Sequence, residues 1–182
     1  MAAIVASEIK TYYSVKTGSA GNSTAGTAAG SLGKYISTTE WTAGSANDLF
    51  DDITGAENAA STVDYRCVFV RNTNTANSMQ NTVVYLSAEV SGGASVAIAI
   101  DNTAASAIGS ASAQAAEITN ETTAPTGVGA FSSPTTAGTG LSLGTIAVGQ
   151  CRAVWVRRTA ANSSALSADG VTLGISCDTG SL

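Results

Sequence analysis

Tyr65-Arg66-Cys67-Val68-Phe69-Val70 carries two alternating side-chain sets, and both are largely apolar. Successive side chains of an extended chain point to opposite faces, so Tyr65, Cys67 and Phe69 share one face and Arg66, Val68 and Val70 the other. Cys151-Arg152-Ala153-Val154-Trp155-Val156 repeats the pattern, with Cys151, Ala153 and Trp155 on one face together with Arg157. Such β-branched and aromatic runs suit a pleated strand. A strand apolar on both faces lies either centrally beneath a layer of loops or against a neighbouring subunit, and the second alternative suits a protein that assembles with others.

Working outward, similar segments recur along the chain between Gly, Asn, Ser and Thr clusters: Ile4–Val15, Val63–Asn72, Thr82–Val90, Ser95–Asp101, Ala116–Asn120, Leu141–Ala147, Cys151–Thr159 and Val171–Asp178. About eight strands predict an all-β fold, an antiparallel β-sandwich or jelly roll. One short helix is expected at 45–53, where Ser45 and Asp48 match a capping box, Leu49, Phe50 and Ile53 form an apolar face, and Gly55 ends the helix. Residues 17–33 are small and polar with almost no large apolar group, so 1–33 reads as an extended N-terminal arm plus flexible loop and 34–182 as the sandwich domain. Residues 102–115 and 122–140, the latter holding Pro125 and Pro134, are expected as surface loops.

The 182 residues suffice for one core without staples. Hydrophobic residues make up 44% but aromatics only 5%, so small and β-branched side chains must fill the core. Charged residues are 12% of the chain and the net charge is −5, which disfavours nucleic acid and leaves a surface of short polar side chains that is cheap to desolvate against protein. The apolar start at Met1–Ala6 runs into Glu8 and Lys10 without a basic leader, so the expectation is synthesis in a bacterial cytoplasm with no export signal. No apolar run is long enough for a membrane helix. Cys67, Cys151 and Cys177 sit singly among apolar neighbours and read as free buried thiols.

The chain has no histidine, which removes Ser-His-Asp and Cys-His nucleophile systems and the commonest metal ligand. Asp48, Asp51, Asp52 and Glu57 form the local acidic cluster; helix-end charge is the reading preferred there over a glycosidase pair or a calcium site, and the spacing fits no EF-hand. Gly26–Lys34 resembles a phosphate loop superficially, but Ala28 stands where glycine is needed and Tyr35 replaces the Ser or Thr. The acceptor-like Asn22-Ser-Thr, Asn120-Glu-Thr and Asn162-Ser-Ser are frequent by chance in a Ser/Thr-rich chain. No catalytic residue, cofactor or metal is implied. Ile9, Tyr12, Tyr13 and Trp41 are expected as protein-interface anchors, and Arg157 and Arg158 as partners for carboxylates of a neighbouring subunit.

Leu49–Asn58, Tyr65–Asn74, Thr82–Leu86, Glu121–Val128 and Leu141–Arg158, in that order, resemble small virion structural proteins of tailed bacteriophages over about residues 49–159. The resemblance is one of pattern and order. It implies a β-sandwich coat or accessory component without an active site, and the small acidic domain with an arm is similar to decoration, or cement, proteins that clamp capsomers on the capsid exterior. The implied partners are the major capsid protein or other virion proteins, in a homo-oligomer expected to be a trimer, with the arm Ile4–Lys16 expected to add a strand to, or lie across, a capsid-protein edge. A neck or tail building block and a tail receptor-binding module are the alternatives.

Overall fold

The computed structural model describes residues 3–42, 44, 47–109, 111–164, 166 and 169–181. Two antiparallel sheets pack face to face. The larger has six strands in the order β2-β1-β3-β8-β5, with β6 also on β8; these are β1 Ile9–Val15, β2 Tyr35–Glu40, β3 Val63–Asn72, β5 Ser95–Ile100, β6 Ser106–Ala107 and β8 Gln150–Thr159. The smaller has three in the order β7-β4-β9: β4 Asn77–Glu89, β7 Leu141–Ile146 and β9 Val171–Ser181. The expected all-β sandwich is therefore the fold.

The two doubly apolar segments are neighbours at the centre of the larger sheet, in register from Val63 opposite Thr159 to Arg71 opposite Cys151. Their even face, Val68, Val70, Val154 and Val156, meets Met79, Val84 and Leu86 of β4 and Leu143 and Ile146 of β7 to form the inter-sheet core. Their odd face, Cys67, Phe69, Cys151, Ala153 and Trp155, forms a second core with Ile36, Ala99, Ala115 and Ile118. This second core is covered by the chain's own loops, so the loop-layer alternative holds and the neighbouring-subunit reading of the double apolar face is corrected.

Buried polar side chains hold that loop layer down. Asp101, 1% exposed, accepts hydrogen bonds from Trp155 Nε1 (2.9 Å) and the backbone N–H groups of Ala116 (2.8 Å) and Thr103 (2.9 Å). Gln114 accepts from the Ile36 N–H and donates to Ser106 Oγ. Gly33 has φ +92°, and a Cβ there would lie 1.9 Å from the Ala116 carbonyl oxygen, so the glycine permits the two loops to touch. Asn72 and Asn74 shape the turn from β3 into β4: their Oδ1 atoms accept from Asn74, Ala76 and Asn77 N–H groups, and Asn72 Nδ2 donates to the Asn77 and Ile146 carbonyls.

Four expectations are corrected. The segment assigned to a free arm supplies β1, which is paired on both sides, to β2 and to β3. Residues 17–33 are tied to the sheet, for example by Cys67 N–H to the Ser31 carbonyl (2.7 Å). The helix is α1, Gly55–Ala60, beginning where the expected one was to end; Ser45 lies outside the described residues. Residues 116–120 form no strand of a sheet; Glu117 makes a single bridge to Gly33, while β2 was not foreseen.

Candidate functional site

The acidic cluster disperses. Glu57 closes a capping box with Thr54, its Oε2 accepting from the Thr54 N–H (2.7 Å), and this hydrogen bonding holds its carboxyl below the usual range. Asp48 Oδ2 accepts from the Gly44 N–H, and Asp51 pairs with Arg158. Among the described residues no three His, Cys, Asp or Glu side chains converge in a way that would hold a metal ion.

The two expected interface arginines point to opposite faces of β8. Arg158 is 7% exposed and bound within the chain, to Asp64 at 2.7 Å, to Asp51 and, by cation–π stacking, to Phe50 at 4.8 Å. The expectation that it reaches a neighbouring subunit is thus corrected: Asp64 stands directly opposite it on β3. Arg66, 3% exposed, stacks on Phe50 at 5.6 Å and pairs with Glu121. Phe50 is thereby held between two guanidinium groups that close one end of the sandwich. Arg157 lies over the Phe131 ring at 5.1 Å, with Tyr65 edge-on to the same ring. Beside this end an open cleft of about 430 Å³ is lined by Ala28, Leu32, Leu49, Asp51, Arg66 and Glu121; its charged groups are already engaged, Arg66 with Glu121 and Asp51 with Arg158 from outside the lining.

All three cysteines are free, and Cys67 and Cys151 are buried as expected, whereas Cys177 on the outermost strand of the smaller sheet is only half-buried, which corrects the expectation for it. Burial pushes the Cys67 thiol well above its ordinary value, with Asp101 adding to the effect, and burial pushes Cys151 up to about 12 against the opposing pull of Arg71.

Three of the four expected apolar anchors do converge. Ile9, Tyr13 and Trp41 project from the β1–β2 side of the larger sheet toward the inter-sheet core and are only partly buried there. Val171, Leu173, Ile175 and Cys177 of β9 are packed against the same core and are partly buried too. Ile4 joins them, its N–H donating to Thr179 Oγ1 at 2.9 Å, and Val5 beside it is 53% exposed. Tyr12 departs from the group: alternation turns it to the loop-covered face, under the Arg71 guanidinium at 5.5 Å. The result is an apolar flank on one side of the sandwich, beside the outward-facing and exposed Thr172, Ser176 and Asp178 of β9. Sequence reasoning missed the β9 half of it, because alternation identifies an inward face without telling whether the strand lies at an edge.

Comparison with protein-family models, curated proteins and solved structures finds no match to this chain.

Proposed function

We propose that this chain is a non-enzymatic structural protein that works by binding other protein surfaces, as a virion component of a tailed bacteriophage acting as a decoration or cement protein on the capsid exterior. The observation that carries the binding role is the partly exposed apolar flank of Ile4, Ile9, Tyr13, Trp41, Leu173, Ile175 and Cys177, set in a surface with few charges. Apolar and aromatic anchors ringed by short polar side chains are what a protein interface needs. The virion context rests on the pattern resemblance over residues 49–159.

Cement action needs no chemistry: a protein that binds only the assembled lattice stabilises that state by its binding free energy. The interior supports such a role, since both faces of the central strands β3 and β8 are closed by the chain itself and the domain brings a folded surface to its partner. Strand β1 is part of that surface as a sheet member rather than as an arm.

Co-sedimentation with purified virions tests the reading. The intact chain pellets with particles, and Val5→Asp, at an exposed position where the fold tolerates change, lowers occupancy, whereas Thr122→Asp on a distant loop leaves it unchanged. Absence of the intact chain from the pellet at every concentration would sink the virion role.

A further inference from the structure

The edges of the two sheets are treated differently. On β2, the Thr38 N–H bonds to the Thr24 carbonyl and the Ile36 N–H to Gln114 Oε1, so the chain's own loops cover that edge. On β5, Ile98 and Ser132 exchange both backbone hydrogen bonds (2.8 and 3.0 Å) and the Gly129 N–H reaches the Ile100 carbonyl. β7 is six residues long and is broken by Gly144 at φ +69° and by two register shifts against β4. Covering, shortening and bulging are the means by which proteins prevent edge-to-edge pairing.

β9 has none of them. It is eleven residues long and contains no lysine, arginine or proline. Among the described residues no strand or loop backbone pairs with its far side. Both register shifts with β4 place the extra residue in β4: from Gln80 to Val83 that strand advances three positions while β9 goes from Asp178 to Ser176, and from Leu86 to Ala88 it advances two while β9 goes from Leu173 to Thr172. β9 itself is therefore regular, and every second residue directs its N–H and C=O outward.

We propose that β9 pairs with β9 of a second copy of this chain, antiparallel across a two-fold axis at Ile175, joining the two three-stranded sheets into one. Such a dimer would form one unit of the binding protein proposed above and rests on that reading for its role in the particle. The occupant follows from self-complementarity. An axis at Ile175 sets Thr172 opposite Asp178 of the partner subunit, so the only charged side chain of the strand meets a hydroxyl donor and not a second carboxylate. It also sets Leu173 opposite Cys177 of the partner subunit and Ile175 opposite its own copy. The inward-facing sets of both copies then remain on one face, and the two apolar flanks become continuous. A C2 interface requires just such a patch that complements itself.

Sedimentation equilibrium of the full chain, with hydrogen exchange at low and high concentration, tests this without any substitution. The expected result is a shift from the mass of one chain to that of two, with slowing of exchange confined to alternate β9 amides. In a Cys177→Ser background, Ile175→Cys should cross-link to its own copy on mild oxidation, because directly opposed Cα atoms lie about 4.5–5.5 Å apart. A monomer at all concentrations, or a dimer whose β9 amides exchange freely, overturns the proposal. A monomer whose β9 amides become protected only on adding virions also overturns it, while leaving the virion role intact. A dimer that fails to pellet with virions overturns the virion role alone.

Discussion

Asp101 shows how much of this fold depends on single buried polar atoms. One carboxylate satisfies the Trp155 indole and the Ala116 and Thr103 amides, so Asp101→Ala strands three donors beneath the loop layer. The expected loss is about 3 kcal/mol, from unsatisfied buried donors worth about 1–3 kcal/mol each with partial relaxation, read as a lower midpoint in urea. Arg158→Ala leaves Asp64, 3% exposed, as an unpaired buried charge; a loss of about 3–5 kcal/mol is expected in the same assay. The thiols predict a pH dependence. Because burial raises the folded pKa of Cys67 and Cys151, the unfolded chain loses these protons first, from about pH 8.5, and binds fewer protons than the native state above it. Stability therefore falls as pH rises beyond that point, by about 1.4 kcal/mol per thiol for each further pH unit until the folded value is reached. The Cys67→Ala/Cys151→Ala variant should show a shallower fall than the wild type between pH 8 and 10.

At the scale of elements, Gly33 is the position where two loops must touch. Gly33→Ala combines a strained positive φ with a Cβ driven into the Ala116 carbonyl, and should cost about 2 kcal/mol or more, with hydrogen exchange quickening first at Gln114 and Ile118. The strands that hold both cores were legible because Val, Phe and Trp alternate unambiguously in β3 and β8. β2 was not: Tyr35-Ile36-Ser37-Thr38-Thr39-Glu40 has few apolar residues and owes its extended form to pairing with β1 and to Gln114, a tertiary effect that no local pattern records. The helix was misplaced because two capping-box patterns compete, Ser45 with Asp48 and Thr54 with Glu57. The second forms, while Leu49 enters the core and Phe50 is taken by Arg66 and Arg158. Ile9, Tyr13 and Trp41 stand out in the sequence by their size in a chain poor in aromatics, and the structure packs all three against the inter-sheet core. Their meeting with β9 depends on sheet order, which lies beyond the reach of periodicity.

For the whole molecule, the position of β1 changes what truncation does. Deleting residues 1–16 removes a strand paired to both β2 and β3, so cooperative unfolding should be lost or its midpoint should drop steeply, instead of a folded domain persisting with only its binding impaired; a thermal scan of the truncated chain decides this. The proposed binding role draws on the low charge of the chain and, among the described residues, on the apolar flank and the unpaired edge of β9. The measurement that tests the account most directly is antibody-gold labelling of virions purified from the natural host, with quantitative mass spectrometry of this chain relative to the major capsid protein. Dense label over the heads, at a copy number comparable with that of the capsid protein, is the predicted result. Label confined to the neck or tail at low copy number would contradict the cement role, and particles without label would contradict the virion role altogether.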